Sequence, residues 1–508
     1  MPLSQPPSTE RPALEGPQSG SAASAQGWGP TIGLGLAAAV LYGATLCPTV
    51  SWYDSAEFSA SAASLRVVPH PPGYPLYTLV GHVFSWLPGE AAWGLNVMSV
   101  VFGVLVVVLM HRVSLRCGQG RAAAVVPPVL VGLAPSVWAN AVVAEVYTPG
   151  LAFLLAALLL CLHARQRADA RLAWVAAWVA GLGLGVHMSV ATWGLGFGAL
   201  VVHGAWPELL KQPRPTVVRW GLLTVCATLL GALVFLLIPF GPFDAVAPLG
   251  PWEDTFHRIW ARTVTDVQGG VFQRYFKPMP AGERLQEIAS IFASNLGLSA
   301  LLVSGAGLAW AASRHRMLAV ALVLGAVGNV GFFYRYDVPD LDVFLLPAVI
   351  SLALLAGFGV EAASRFRPSA GWALAAVVVC IAGGQAWARF DDLDRSMDRS
   401  AREYGEDACR VLPRGAVLVM TSRPDEWRLY GVLLYMHEAE EGCAGVEFWG
   451  RTSVEMVERA LDSGRAVYSF VEDPRFGWAF AVVPEGPVFR VLSEPPERTA
   501  EGSQPADP

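Results

Sequence analysis

Long apolar runs follow one another along most of the chain, with short polar segments between them. A straight membrane-spanning helix needs about 20 apolar residues, and several of the runs are shorter than that. Residues 172–186 and 189–204 could form two short helices or a hairpin, because glycines and His187 interrupt them. The pattern predicts an all-α polytopic membrane protein with about eleven transmembrane helices. The runs lie near 31–50, 93–111, 122–138, 149–163, 172–186, 189–204, 220–239, 296–312, 317–333, 343–362 and 371–388.

Composition agrees with a membrane protein. Of the 508 residues 54% are hydrophobic and 15% are charged, whereas a soluble domain carries about 25% charged residues. The net charge of −6 argues against a nucleic-acid partner. Residues 1–28 are rich in Pro, Ser, Gly and Gln, which predicts a disordered tail. They lack the basic start of a cleaved signal peptide, so the first apolar run is expected to stay as an anchor.

Basic residues indicate how the chain is oriented, because they collect in short cytoplasmic loops. They fall in alternate loops here, which predicts a cytoplasmic N-terminus and an extracytoplasmic C-terminal segment. Lysine is nearly absent, which indicates GC-rich coding and hence a bacterial protein. The membrane is then expected to be the inner membrane. The basic residues of these alternate loops are Arg112, Arg116, Arg121, Arg165, Arg167, Arg171, Lys211, Arg214, Arg219, Arg314, Arg316, Arg365 and Arg367.

The pattern changes near Phe390. Short β-branched runs now alternate with amphipathic segments, which is typical of a small α/β domain. We therefore predict a transmembrane domain over 29–390, an extracytoplasmic α/β domain over 391–495 and a disordered tail over 496–508. Cys409 and Cys443 share this domain, and an oxidising compartment would permit a disulfide between them.

The segment from Ser51 to Gly81 carries two carboxylates three residues apart, Asp54 and Glu57. One interpretation is structural: Asp54 caps a helix and Glu57 completes a capping box. Behind them an amphipathic segment would lie in the membrane interface. The other interpretation is chemical, since a carboxylate that has lost part of its hydration is a stronger base. Asp54 could then take a proton from an acceptor hydroxyl.

The next segment, "VPHPPGYPLY", places His70 and Tyr74 among prolines. Prolines force extended backbone and glycine permits a turn, so a rigid crossover needs nothing more. Alternatively, the stiff loop presents His70 and Tyr74 to the acid pair.

Further candidates would share the outer face if this topology holds. Glu145 and Tyr147 follow the third span and could be either a buried polar pair at a helix end or part of a site. His187 could be a satisfied polar residue or line a cavity. Arg258, Arg262 and Arg335 could neutralise a lipid phosphate, or be ordinary solvated arginines.

Together, "WYDSAEF", "VVPHPPGYPLYTLVGHVFSWLP", "AEVY", "PWEDTFHRIWARTVT" and "YRYDVPDLDVFLLP" closely resemble the domain-of-unknown-function 2723 family, over roughly residues 31–350. The resemblance implies a membrane glycosyltransferase of the GT-C type, similar to protein O-mannosyltransferases. Such enzymes move a sugar, here a hexose such as mannose, from a polyprenyl-phosphate carrier and usually invert the anomeric centre. Asp54 matches the position of the family's base, Glu57 would support it, and His70 matches a His-Pro position of related enzymes.

From this resemblance we expect three partners: the bilayer, a lipid-linked sugar donor and a protein or glycan acceptor. We expect no cofactor and no metal, because two carboxylates without a further clustered acid make a weak metal site. A transporter or flippase for a lipid-linked or polar solute is the alternative, although such proteins place ionisable groups near the bilayer midplane. A scaffold without catalytic activity is a third hypothesis, which would leave the acid and His-Pro segments without a role.

Overall fold

The structure is a computed structural model, and it describes most of the chain between Gly27 and Ser493. The predicted tails lie almost entirely outside this part, and so does most of the long loop after residue 236. The described residues are 27–70, 72–167, 169–200, 214–236, 275–420, 424–440, 442–449, 453–472 and 479–493.

The first part of the described chain is helical, and most of its helices overlap the predicted apolar runs. Two helices, at 54–64 and 75–84, instead lie between the first two runs. The helices are α1 (Gly29–Ala44), α2 (Asp54–Ser64), α3 (Pro75–Phe84), α4 (Ala91–Arg116), α5 (Arg121–Gly132), α6 (Pro135–Ala141), α7 (Tyr147–Arg167), α8 (Ala170–Leu184), α9 (Ser189–Thr192) and α10 (Arg214–Ala232), the last followed by a 3₁₀ turn, Leu233–Leu236.

The helices continue after the long loop and then give way to a mixed segment. They are α11 (Ala281–Arg314), α12 (Arg316–Phe333), α13 (Leu341–Phe344), α14 (Leu346–Phe366), α15 (Pro368–Ala388), α16 (Phe390–Leu393), α17 (Ser400–Val411), α18 (Pro424–Glu438) and α19 (Val454–Asp462). The strands are β1 (Val417–Val419), β2 (Glu447–Trp449), β3 (Val467–Ser469), β4 (Ala481–Glu485) and β5 (Val488–Leu492).

The described helices confirm a multi-pass membrane protein. Seven are long and apolar enough to cross a bilayer, and α5 with α6 would make an eighth span, bent by 62°. Two shorter apolar helices, Gly29–Ala44 and Arg171–Leu184, also fall on predicted runs. The bend divides the predicted run 122–138, because Pro135 has no N–H to continue the helix and opens α6 instead.

Helix α11 begins well before the predicted run 296–312. Its first half is amphipathic, and Gly297 separates the halves with φ 77° and ψ 153°. Only glycine adopts this backbone readily, and the side chain of Gln385 occupies the space beside it. The kink therefore lets one continuous segment change direction where the apolar run starts.

The basic loops collect at one end of the bundle. The Arg116 guanidinium, at the C-terminal end of α4, donates to Gln166 at 3.1 Å. Glu361 accepts from the backbone N–H of Gly120 at 2.8 Å and from Arg365 at 2.8 Å. Glu90, at the other end of α4, pairs instead with a residue of the C-terminal segment. Since 26 helical residues extend about 39 Å, these two polar regions are a membrane thickness apart.

The C-terminal segment folds as the α/β unit that its pattern predicted. Its five strands form one sheet in the order β2-β1-β3-β5-β4. The β1 strand pairs parallel with β2 and β3, with α18 and α19 as the crossovers, and β5 pairs antiparallel with β3 and β4. A disulfide joins Cys409 of α17 to Cys443 after α18, which decides a pairing that the sequence had left open. The predicted domain boundaries stay a prediction.

This α/β unit shares one hydrophobic core with the start of the membrane region. Ala56 and Ala60 of α2 are buried in the same cluster as Val432 and Leu433 of α18. The backbone N–H of Ala92 also donates to the hydroxyl of Tyr435 at 3.3 Å. The C-terminal unit is thus packed directly on the segment that carries the two predicted carboxylates.

Candidate active site

Helix α2 begins at Asp54, and the residue before it holds an unusual backbone. Tyr53 occupies the N-cap position with φ 59° and ψ −137°, and no side chain caps the helix. The predicted capping box is therefore wrong: Asp54 lies in the first turn. Its carboxylate Oδ1 instead accepts a hydrogen bond from the indole Nε1–H of Trp427, at 3.0 Å.

The same helix is more buried than the amphipathic pattern of its residues had predicted. Every residue from Ser55 to Ala62 is buried, and α18 packs against Ala56 and Ala60 in one shared core. The sequence pattern of α2 does not reveal a covering helix more than 350 residues away, so this burial was not predicted. Of the two carboxylates of α2, Asp54 is the accessible one, with 35% of its side chain exposed.

Glu57 is buried and bound by His70 at both of its oxygens. Its Oε1 accepts from the backbone N–H of His70 at 2.9 Å, and its Oε2 lies 2.6 Å from Nδ1 of the same residue. The loop makes this possible by a tight turn, in which the N–H of Gly73 donates to the carbonyl of His70. The stiff loop thus brings His70 back to the acid pair, as the second interpretation predicted.

The imidazole of His70 also faces Tyr74 and Asp54. Its Nε2 lies 2.9 Å from the Tyr74 hydroxyl and 3.8 Å from Oδ2 of Asp54. Burial alone would lower the pKa of His70, but the carboxylates of Glu57 and Asp54, with the Glu57 hydrogen bond, outweigh it and raise that pKa to about 9. At neutral pH the ring is an imidazolium, which donates from Nδ1 to Glu57 and from Nε2 towards Tyr74.

A second group of predicted residues extends from Tyr74. The buried ring of His187 stacks on Tyr74, with centroids 6.2 Å apart, and lies 4.9 Å from the Tyr147 ring. Burial lowers the pKa of His187 to about 3, so this imidazole is neutral. The hydroxyl of Tyr147 donates to Asp340 at 3.3 Å.

Glu145 belongs to the same neighbourhood. Burial raises the pKa of its carboxyl well above the usual range, and the nearby carboxylates of Asp54 and Asp340 add to the effect. Its backbone N–H donates to the hydroxyl of Ser99 at 3.2 Å. This environment favours the neutral form of the Glu145 carboxyl, which can donate a hydrogen bond as well as accept one.

The three predicted arginines are not part of this arrangement as described. Arg258 and Arg262 lie outside the described residues. Arg335 is exposed, and its carbonyl accepts from the backbone N–H of Lys277 at 3.0 Å. Their proposed role towards a phosphate stays a prediction.

Backbone strain is concentrated around the site. Within the described ranges, three residues other than glycine have positive φ: Tyr53 at 59°, Leu65 at 54° and Tyr74 at 42°. They precede Asp54, end its helix and carry the hydroxyl beside His70. Such conformations are costly for residues with a Cβ and tend to cluster at functional sites, so their position agrees with a site here.

Two residues of this site were missed at the level of sequence. Asp340 lies in the quoted segment "YRYDVPDLD", where its charge was a usable signal. Trp427 lies 373 residues after Asp54, in a segment whose pattern indicates only a helix. No local feature of the sequence marks it.

The cluster also offers the ligand atoms that a metal would need. One ligand atom each from Asp54, Glu57 and His70 lies within 4.8 Å of the others, and these residues could hold a divalent ion. The 2.6 Å separation of Glu57 Oε2 and His70 Nδ1 is a hydrogen-bond distance. A shared proton accounts for it, and the expectation of metal-free chemistry stays a prediction.

Comparison with known proteins supports this reading of the fold. Residues 54–203 match the family described as the N-terminal domain of protein O-mannosyl-transferase TMEM260. A protein O-mannosyl-transferase tmem260 of Dictyostelium discoideum is 26% identical over 113 residues. That match covers 22% of this chain and 14% of the relative, so this chain spans only a small part of the relative's length.

Among solved structures, ArnT from Cupriavidus metallidurans bound to undecaprenyl phosphate superposes with a TM-score of 0.59 at 14% identity, covering 92% of this chain and 98% of that one. Its apo form gives 0.57 at 15% identity, covering 91% and 96%. The mycobacterial arabinofuranosyltransferase AftD gives 0.51 at 17% identity, covering 89% and 36%. At such identities the likeness concerns the fold alone. The chain is therefore a multi-pass membrane protein with the GT-C fold, and over residues 54–203 it is similar to protein O-mannosyltransferases.

Proposed function

We propose that this protein is a glycosyltransferase that moves a hexose such as mannose from a polyprenyl-phosphate carrier to a hydroxyl acceptor, such as a protein Ser or Thr. The observation that supports this most is the partly exposed carboxylate of Asp54, which lies beside half-buried His70 and buried Glu57. A base must reach its substrate, whereas the groups that hold it in place need not.

In the proposed reaction, Oδ2 of Asp54 takes the proton of the acceptor hydroxyl. The acceptor oxygen attacks the anomeric carbon, and the bond from that carbon to the phosphate oxygen breaks with its electron pair on the phosphate. Attack from the face opposite the leaving group inverts the anomeric centre. Arg258, Arg262 and Arg335 are the candidates to neutralise the phosphate.

The imidazolium of His70 fits this scheme as an electrostatic partner. It lies 3.8 Å from Oδ2 of Asp54 and is tied to Glu57. It stabilises the ionised form of Asp54 before proton transfer without taking up the oxygen that receives the proton. Glu57 in turn fixes the ring and balances its charge.

We further propose that the site lies on the extracytoplasmic side of an inner membrane and that the N-terminus is cytoplasmic. The arginine-rich loops lie at the opposite end of the bundle from the site, as the positive-inside rule requires. The Cys409–Cys443 disulfide agrees with an oxidising compartment on the site's side.

The test is sugar transfer by the purified protein in lipid nanodiscs. Undecaprenyl-phosphate [³H]mannose is the donor probe and a Ser/Thr-rich peptide is the acceptor. We expect Asp54→Asn to lower the transfer rate about a thousandfold, since general-base catalysis contributes roughly 10²–10⁴-fold. Asp462→Asn is the control, because Asp462 is exposed at the end of α19 and should not matter.

Normal transfer by a correctly inserted Asp54→Asn protein would refute the assignment of the base. If the wild type fails to transfer but moves a fluorescent polyprenyl phosphate between leaflets, the protein is a flippase. Mass spectrometry of exported proteins from cells with and without the gene identifies the acceptor. A missing hexose on a Ser or Thr is the expected difference.

A further inference from the structure

The helix α18 of the C-terminal unit lies directly against the first turn of α2. Gly431 is the point of closest approach: a Cβ atom there would stand 3.0 Å from the carbonyl oxygen of Tyr53 and 3.4 Å from the Cβ of Ala56. A glycine at this point lets the two backbones meet. The strained Tyr53 is thus held between α2 and a helix from the other end of the chain.

Trp427, one turn before Gly431 on α18, reaches the site itself. Its indole N–H donates to Oδ1 of Asp54 at 3.0 Å, and its ring lies edge-on to His70, with centroids 6.2 Å apart. On its other side it packs on Tyr430 at 5.5 Å. The indole is therefore fixed by two rings, and its donor points at one oxygen of the proposed base.

The helix that carries Trp427 is itself firmly anchored. Beyond the shared hydrophobic core, Arg402 of α17 lies 3.5 Å from Glu90 and 3.4 Å from Glu440. Trp52 donates from its indole N–H to Ser400 at 2.7 Å. The disulfide then ties α17 to the end of α18. A hydrogen bond from so well-anchored a donor can set the orientation of a carboxylate.

We propose that Trp427 is a positioning residue for Asp54, so that the C-terminal unit completes the active site and is not an appendage to it. This inference rests on the proposed role of Asp54 as base. Trp427 occupies Oδ1 and holds the carboxylate plane, which leaves Oδ2 turned towards the incoming hydroxyl. Removal of the C-terminal unit would leave the base present but unaligned.

Trp427→Phe tests this, since phenylalanine keeps an aromatic ring and removes the donor. Trp449→Phe is the matched control: Trp449 lies in the same unit, and its indole N–H donates to another carboxylate, that of Glu447, at 3.2 Å. With the donor and peptide probes above, we expect Trp427→Phe to lower kcat about tenfold while the KM for the donor stays within about twofold. The acid limb of its pH–rate profile should move to higher pH, because the ionised carboxylate has lost a hydrogen bond.

A measurement independent of transfer separates this inference from the proposed function. Carboxyl footprinting with a carbodiimide and glycine ethyl ester, read by mass spectrometry, reports how freely Asp54 reacts. We expect labelling of Asp54 to rise several-fold in Trp427→Phe and not in Trp449→Phe. Unchanged labelling, kcat and pH profile in a folded Trp427→Phe protein would overturn the inference. Increased labelling in a protein whose Asp54→Asn variant keeps its activity would retain the contact and reject only the role of Asp54.

Discussion

Two buried glutamates at opposite ends of the bundle have nearly the same hydrogen bonds. Glu361 accepts from one backbone N–H and from Arg365, each at 2.8 Å. Glu57 accepts from one backbone N–H and from a side chain as well, but the side chain is His70. The partner of Glu361 stays charged at every physiological pH, whereas that of Glu57 can lose its proton.

The surroundings of the two glutamates also differ. Glu361 lies inside a regular helix, and its partner is one turn further along that helix. Glu57 lies among three residues with positive φ, and an accessible carboxylate stands beside its partner. Both glutamates satisfy the requirements of burial. What distinguishes Glu57 is a titratable partner, local strain and a neighbouring carboxylate that is partly exposed.

The largest expected difference between the two is in activity. Glu57→Gln should lower the rate of mannose transfer about a hundredfold, because the amide neither balances the imidazolium nor fixes its ring. Glu361→Gln should leave the rate per folded molecule unchanged and lower the stability by about 1–3 kcal/mol. The transfer assay and thermal unfolding in detergent measure the two effects. Equal losses of activity in both variants would show that Glu57 is only structural.

The pH dependence of stability should distinguish the pairs next. The pKa of His70 is raised in the folded protein to about 9, from about 6.5 in an unfolded chain. The stabilisation is therefore fully present below pH 6.5 and is lost as the pH rises through 9. Scanning fluorimetry should show a Tm that falls between pH 7 and pH 10. This fall should be absent from Glu57→Gln and retained in Glu361→Gln, since arginine keeps its proton throughout.

The smallest effect concerns the close contact at Gly431. Gly431→Ala should lower transfer about three- to tenfold, because the new methyl group presses on the Tyr53 carbonyl and shifts the turn that carries Asp54. Gly305→Ala is the matched control, since a Cβ there meets nothing within 4 Å and alanine favours the helix. Equal activity of the two variants would indicate that α18 does not constrain the site.

Much of the fold could be predicted from local patterns in the sequence. Apolar runs of near-bilayer length predict the membrane helices, because the backbone N–H and C=O groups inside a bilayer can form hydrogen bonds only with each other. The alternation after Phe390 predicts each strand of the sheet for a similarly local reason. The sequence also indicated that His70 and Tyr74 could meet Asp54 and Glu57. The four residues lie within one short segment, where proline and glycine restrict the path of the chain.

The groups that surround these four residues could not be predicted and are evident only in the folded protein. The sequence of α2 indicates an amphipathic helix, and nothing in it shows that α18 packs against Ala56 and Ala60. Glu57 binds His70 and does not cap its own helix, because the loop after α2 folds back on that helix. The hydrogen bond from Trp427 to Asp54 joins positions 373 residues apart. Local patterns fix local conformation, because they act through neighbouring dihedral angles. Contacts between distant segments depend on how whole helices pack, which no local pattern contains.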